Sequence, residues 1–224
     1  MADGQGVALV RPSSIADGVH ERIYERIMSL AIPPGARIPI DSLSRELGVS
    51  QTPVREALTR LEREGLVRKA HLIGYSAAPQ LTRKEFDDLY RFRLMLEPES
   101  ARQACLRMTP ETLQRIEAAA ADMETETAPV DRHSRYSRFA RSDAHFHEQI
   151  LIAADNDFVR QALTDRHIHL HIFRLMFHSR VTQEALEEHE RLLNAFRAGD
   201  ADVARRAMHN HIERSRDRLV AAFE

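Results

Sequence analysis

Apolar side chains recur at intervals of three and four residues along most of the chain, a spacing typical of amphipathic helices. The first such stripe ends before the turn Pro33-Pro34-Gly35 and comprises Ile15, Val19, Ile23, Ile27 and Leu30. A short second stripe comprises Leu43 and Leu47, and a third comprises Val54, Ala57, Leu58 and Leu61. These patterns predict three helices, of which the last two are joined by a tight turn.

Gly48 lies between the second and third predicted helices, where it can adopt the positive φ that a tight turn needs. Ser50 or Thr52 can cap the third helix, and Pro53 suits its first turn. Opposite its apolar stripe this helix carries a face rich in hydrogen-bond donors, formed by Gln51, Thr52, Arg55, Thr59 and Arg60. Such a face suits the major groove of DNA, although an ordinary helical hairpin with a solvated face has the same spacing.

The residues after the third helix favour the DNA-binding interpretation. Gly65 ends the helix, and Leu66 and Val67 open an extended stretch. A small β-hairpin with a basic, glycine-containing tip follows, formed by Arg68, Lys69, His71, Gly74 and Tyr75. A β-hairpin in this position is the wing of a winged helix, so the segment predicts a winged helix-turn-helix.

The string PPGARIPIDSLSRELGVSQTPVREALTRLEREGLV, followed by Gly74, resembles the N-terminal domain of the GntR family of bacterial transcription regulators. The resemblance covers residues 10–78 and implies binding to double-stranded operator DNA. Arg55 matches the arginine of the family's recognition helix. Ser50, Thr52 and Gly74 match positions that approach the DNA backbone or minor groove. The DNA contacts that we predict are Ser50, Gln51, Thr52, Arg55, Arg60, Lys69 and Gly74.

Two positions depart from the pattern of that family. Gln51 stands where many members carry arginine, and Asp41 stands where some members do. A glutamine amide suits adenine whereas arginine suits guanine, and a carboxylate would repel DNA phosphate. The operator sequence therefore does not follow from the resemblance.

Composition and charge agree with a DNA-binding module joined to a second domain. The chain has 224 residues, with 32 Lys+Arg against 34 Asp+Glu and a net charge of −2. Because this balance provides no general attraction to phosphate, DNA binding must come from a local patch that dimerisation doubles. We predict a loose tail over residues 1–12, the DNA-binding domain over 13–78, and a helical domain over 79–224.

Cys105 is the single cysteine, which excludes an internal disulfide and a cysteine-based metal cluster. No stretch reaches the ~18 apolar residues of a membrane span, and the N-terminus lacks the pattern of a signal peptide. We therefore expect a cytoplasmic protein without membrane contact.

The second domain is predicted to be an antiparallel bundle of six or seven helices without strands. Thr82 and Glu85 form a capping box for its first helix, which continues past Pro98. A helix from Pro110 and a polar stretch over residues 125–134 follow. Further helices are predicted over residues 135–153, 159–178, 182–197 and 201–223. The fold class is therefore mostly α, a winged helix-turn-helix with a small β-wing plus an all-α bundle.

Four polar residues interrupt the apolar stripes of these helices and should face the core. Asp143 and His147 lie one turn apart on one stripe, while His189 and His211 lie on the stripes of the last two helices. Three histidines and a carboxylate that converge in a bundle core form a ligand set for a divalent metal. A single such histidine is more often a core residue than a ligand, but four coincidences are much less frequent.

Other residues near these stripes allow competing interpretations. Asp143 could simply pair with Arg174 or Arg141. Two histidines lie off their stripes and should face solvent, namely His145 and His209. Three more alternate between the faces of one predicted helix, so we interpret them as structural or surface residues, namely His167, His169 and His171.

The layout Asp-x3-His, a histidine ahead of Leu-Leu-x-Ala-Phe, and Gly-Asp before Met-x-x-His resembles the metal-containing C-terminal domain of the FadR subfamily of GntR regulators. The resemblance covers residues 80–222 and implies a homodimer that responds to a small organic acid. It implies that one divalent ion, Zn²⁺ with Ni²⁺ or Mn²⁺ as alternatives, is held by Asp143, His147, His189 and His211. Arg93 matches an arginine that often lines the effector cavity, although an ion pair with Glu97 explains it equally well.

The predicted function is that of a repressor controlled by a small carboxylate bound at the metal. One alternative is a constitutive DNA-binding protein in which the metal is purely structural. A metallo-hydrolase is another, since such ligands can activate water, but no HExxH motif or general base is evident. Hydrolysis would also leave the winged helix unexplained.

Overall fold

The computed structural model describes residues 14–124, 132–165, 167–175 and 179–223. The loose tail predicted for residues 1–12 and most of the polar stretch predicted for 125–134 lie outside these residues. The first unit contains α1 (Ile15–Met28), α2 (Ile40–Leu47) and α3 (Gln51–Arg63). It also contains a sheet of β1 (Arg37–Ile38), β2 (Val67–Ala70) and β3 (Gly74–Ala77).

The helix-turn-helix and the wing are confirmed. Gly48 ends α2 with φ 65°, and Ser50 occupies the cap position of α3, although its side chain makes no capping hydrogen bond. The stripe predicted for α3 is fully buried and comprises Val54, Ala57, Leu58 and Leu61. The wing strands β2 and β3 pair antiparallel in the register Val67 with Ala77.

The third strand of the sheet was not predicted. In β1, Arg37 pairs with Ser76 and Ile38 pairs with Tyr75, which gives the strand order β1-β3-β2. A strand of two residues is too short to show the alternation of exposed and buried positions by which strands are recognised in a sequence. Its pairing with the wing joins the segment before α2 to β3, the second strand of the wing.

Seven helices make up the described part of the second unit, and they confirm the mostly α fold. They are α4 (Arg83–Leu106), α5 (Pro110–Glu124), α6 (Arg132–Ala153), α7 (Asp157–Thr164), α8 (Ile168–Phe173), α9 (Ser179–Ala198) and α10 (Ala201–Leu219), followed by a 3-10 turn (Val220–Phe223). Thr82 and Glu85 form the predicted capping box at the start of α4, and Pro98 lies inside that helix. Within the described residues, no helix is long and apolar enough to cross a membrane.

The single helix predicted over residues 159–178 is wrong. Its described part consists of α7, which Asn156 caps, and the short helix α8. His167 lies between them with φ 47°, a left-handed conformation that ends one helix before the next begins. Apolar residues continue at helical spacing through this junction, so the pattern does not reveal the break. Two other helices begin three residues earlier than predicted, α6 at Arg132 and α9 at Ser179.

The two units are in direct contact along α1 and α6. The Tyr24 hydroxyl donates a hydrogen bond to the Ser137 carbonyl at 2.9 Å. The Arg141 guanidinium lies 4.1 Å from the centroid of the Tyr24 ring and pairs with Glu21 at 2.8 Å. These contacts place α6, which also carries Asp143 and His147, against the first helix of the DNA-binding unit.

Candidate metal centre and DNA-binding surface

Three histidines from three helices converge in the core of the second unit. His147 of α6, His189 of α9 and His211 of α10 are 1%, 1% and 4% exposed. One nitrogen from each lies within 4.8 Å of the others. The inward orientation predicted from their stripes is confirmed, whereas their role as metal ligands stays a prediction. His145 and His209 are exposed, as predicted.

Asp143 lies beside this cluster and is buried. Its Oδ2 accepts a hydrogen bond from Nδ1 of His169 at 3.1 Å, and its Oδ1 lies 3.5 Å from Nε2 of His189. Burial pushes the pKa of Asp143 upward, but the His169 hydrogen bond and the nearby histidines outweigh burial, so the pKa is lowered overall. The carboxylate is therefore ionised, as a metal ligand must be.

Neither of the two arginines weighed as partners of Asp143 pairs with it. Arg141 pairs with Glu21 instead, and Arg174 donates a hydrogen bond from Nη2 to the Ala78 carbonyl at 2.6 Å. Both arginines thus serve contacts with the first unit or the segment that joins the units. Asp143 instead contacts His169 and His189.

His169 is a member of the site that the sequence interpretation missed. It is 9% exposed, and its ring centroid lies 4.2 Å from that of His147. Glu97, His147 and His169 form a second group of ligand atoms within 4.8 Å of one another. The structural or surface role predicted for His169 assumes one continuous helix over residues 159–178. Because α8 starts anew after His167, the helix faces that we assumed do not apply.

The unpaired nitrogens of the cluster fit a bound cation. Nδ1 and Nε2 of His189 and Nε2 of His147 are buried without a hydrogen-bond partner. Buried polar atoms without partners are costly and rare, so such atoms are expected to have a ligand. Burial also lowers the pKa of His147, His189 and His211, because it disfavours the charged imidazolium. Neutral imidazole is the form that binds metal, so the residues present fit a divalent cation.

Two buried carboxylates lie against the Nδ1 atoms of His147 and His211. Nδ1 of His211 donates a hydrogen bond to Oε2 of Glu188 at 2.9 Å, and Arg218 pairs with Glu188 at 2.7 Å. Nδ1 of His147 lies 2.9 Å from Oε2 of Glu97, although off the line of a good hydrogen bond. A carboxylate on Nδ1 fixes the tautomer and leaves Nε2 free for a metal. Neither glutamate was predicted to take part in the site.

Arg93 lies beside the centre but is held by an ion pair. Its Nε and Nη2 lie 2.5 and 3.3 Å from the two carboxylate oxygens of Glu97, and both side chains are 2% exposed. The pair that we weighed as an alternative is therefore present. A role for Arg93 in effector binding stays a prediction.

The start of α3 presents the predicted DNA-reading residues to solvent. Ser50, Gln51, Thr52 and Arg55 are all exposed. Nε2 of Gln51 donates to Oδ1 of Asp41 at 2.6 Å, and Oε1 of Gln51 accepts from Nη2 of Arg55 at 3.2 Å. Asp41 therefore orients Gln51, and Gln51 in turn orients Arg55.

The remaining predicted DNA contacts lie elsewhere on the first unit. Arg60 is near the end of α3, where it pairs with Asp17 of α1 at 2.6 Å. Lys69 and Gly74 lie on the wing, with Nζ of Lys69 5.6 Å from the centroid of the Tyr75 ring. The structure thus brings together the residues at the start of α3 and separates Arg60 from them.

Comparisons with known proteins agree with both units. The pattern of the bacterial regulatory proteins of the gntR family matches residues 15–75, and that of the FCD domain matches residues 88–214. YdhC, an HTH-type transcriptional regulator of Bacillus subtilis, is 24% identical over 92% of this chain and 91% of its own length. LutR, another HTH-type transcriptional regulator of Bacillus subtilis, is 26% identical over 86% of this chain and 95% of its own length.

A solved structure of Escherichia coli McbR/YncC superposes with a TM-score of 0.67 at 20% identity, covering 95% of this chain and all of that one. At this identity the likeness shows the fold alone. The matching relatives are transcription regulators rather than enzymes, so the hydrolase alternative is rejected. The chain belongs to the GntR family of bacterial transcription regulators, in the group whose DNA-binding domain is followed by an FCD domain.

Proposed function

We propose that the protein is a homodimeric repressor that binds a small carboxylate at a metal centre and then releases its operator. The observation that carries this proposal is the buried cluster of Asp143, His147, His189 and His211, in which nitrogens of His147 and His189 are without partners. A regulator of bacterial DNA acts in the cytoplasm, where zinc, nickel and manganese are all available in competition.

The chemistry of the cluster favours an anionic effector. A divalent cation held there supplies a positive charge that a carboxylate can coordinate. Arg93 lies next to the centre, and its pair with Glu97 engages Nε and one of its two terminal nitrogens. The other terminal nitrogen is proposed to meet the carboxylate, since charge-assisted hydrogen bonds are strong in a buried site.

The DNA side of the proposal rests on the exposed start of α3. That end of the helix enters the major groove, where Arg55 reads a base and Gln51 holds it in position. The net charge of −2 gives little attraction to DNA in general. Two copies of the helix are therefore needed, and a change in their spacing would weaken operator binding strongly.

Elemental analysis and calorimetric titration test this function. Purified protein should hold about one divalent ion per chain, as expected for one tetrahedral-type site. His147→Ala and His211→Ala should lose the ion, whereas His145→Ala and His209→Ala, on the exposed faces of the same helices, should keep it. A carboxylate should bind the loaded protein and not the chelated protein. Equal metal content in the four variants, or no carboxylate binding to the loaded protein, would reject the proposal.

A purely structural metal is the competing function, and one observation favours it. His169 and Glu97 add donors near His147, so protein atoms alone could complete the coordination. Proton relaxation of solvent water by the Mn²⁺-loaded protein separates the two functions. A site open to a carboxylate exchanges water and enhances relaxation, whereas a closed structural site does not.

A further inference from the structure

A cleft of about 400 Å³ lies between the two units, directly beside the metal centre. Its lining includes His147 and His169 of the centre on one side. On the other side it includes Tyr24 of α1 and Glu64, the residue after α3. The cleft therefore connects the metal centre to the DNA-binding unit.

The lining is mostly apolar around this connection. The aliphatic side chains that line it are Leu151, Leu163, Ile168 and Leu170. The charged groups are Arg141 and Glu148 of α6 and Glu64, with Arg141 already paired with Glu21. The volume lies in the range of small-molecule sites, which are typically apolar with a few polar groups. A short hydrocarbon chain matches such a lining, and its carboxylate would match the centre.

We propose that this cleft binds the hydrocarbon body of the effector, whose carboxylate lies at the metal centre. The inference rests on the proposed function and adds the class of ligand, a carboxylate with an aliphatic tail. The ligand then contacts the DNA-binding unit itself, at Tyr24 and Glu64. The ligand can therefore affect DNA binding through this direct contact, without first repacking the helical domain.

One residue of the cleft is placed to pass ligand binding on to the recognition helix. His167 lines the cleft and donates a hydrogen bond from Nε2 to the carbonyl of Arg63, the last residue of α3, at 2.6 Å. Two residues further along, His169 holds Asp143 of the metal centre. A ligand that fills the cleft lies against this bridge, so its binding and the position of α3 are physically linked.

Calorimetric titration of straight-chain acids from acetate to octanoate into the metal-loaded protein tests the inference. Affinity should rise about fourfold for each added methylene until the cleft is full, as expected for burial of CH₂ groups. Ala144→Leu adds volume to the lining and should flatten this rise. Ala118→Leu, at an exposed position of α5, is the matched control and should behave as wild type.

Leu163→Ala provides the opposite change, because it enlarges the cleft and should move the tightest binding to a longer acid. Acetate and octanoate binding equally well to the loaded wild type would overturn the inference and leave the metal-bound carboxylate intact. The inference would also be overturned if affinity depended on the length of the acid in the same way in wild type, Ala144→Leu and Leu163→Ala. If no acid prefers the loaded protein over the chelated protein, the proposed function fails, and this inference fails with it.

Discussion

Replacing Gly65 by alanine perturbs the contact between the recognition helix and the α7–α8 junction. Gly65 follows α3 with φ 69°, and a Cβ atom there would lie 3.1 Å from Cδ2 of His167 and 3.3 Å from Nε2 of His171. Gly48 follows α2 in the same conformation, with φ 65°, but a Cβ there meets nothing within 4 Å. Gly48→Ala is therefore a matched control for the backbone cost.

The expected loss of stability has two contributions, the backbone strain at the left-handed position and the displacement of His167. A left-handed alanine costs about 1–2 kcal/mol in either variant. In Gly65→Ala the His167 ring must also move, which weakens its hydrogen bond to the Arg63 carbonyl, and such a bond contributes about 0.5–1.5 kcal/mol. We expect the free energy of unfolding of Gly65→Ala to be about 1 kcal/mol lower than that of Gly48→Ala.

Urea unfolding of the two metal-loaded variants measures this difference, provided that the slopes of the transitions agree. DNA affinity is then measured with and without the tightest-binding acid. The change in affinity that the acid causes should be smaller in Gly65→Ala than in wild type, and it should be unchanged in Gly48→Ala. Equal free energies of unfolding and equal ligand responses in the two variants would refute the bridge through His167.

Four further variants test other parts of the structure. Arg55→Ala should weaken specific DNA binding by about 1–3 kcal/mol, and Gln51→Arg should shift one position per half-site from adenine toward guanine, as measured on single-base variants of a selected operator. Glu188→Ala should weaken metal affinity about 10–100-fold in chelator competition, because His211 loses its hydrogen-bond acceptor, whereas the exposed Glu187→Ala should not. Burial lowers the pKa of His171 to about 4, so unfolding takes up a proton and stability falls as pH drops from 6.5 toward 4. Urea unfolding at several pH values should show a smaller fall in the free energy of unfolding for His171→Leu. An equal fall in the variant and in wild type would contradict this prediction.

The sequence was sufficient to predict the elements that periodicity and turn chemistry determine. The stripe of α3, the turn at Gly48 and the wing hairpin after α3 all follow from local rules. The inward orientation of His147, His189 and His211 followed from the same helical spacing. In each case the feature depends on residues within a few positions of one another.

The parts that the sequence did not predict depend on contacts between distant residues. His169 joins the centre because His167 adopts a left-handed conformation, which no periodicity records. Glu188 is adjacent to a predicted ligand in sequence, but it is buried because His211 and Arg218 of α10 bind it. The sequence places Arg60 on the polar face of α3, but it does not reveal that Asp17 of α1 pairs with it.

The DNA affinity of the metal-loaded protein, measured with and without the carboxylate, tests the central claim most directly. DNA selected from a random pool by the loaded wild type serves as the operator, and His147→Ala is compared with His209→Ala, an exposed control outside the cleft. The carboxylate should weaken DNA binding about 5–150-fold in wild type and His209→Ala, the range typical of coupled sites, and should have no effect in His147→Ala. An equal response in His147→Ala, or none in wild type, would contradict a regulator controlled through this metal centre.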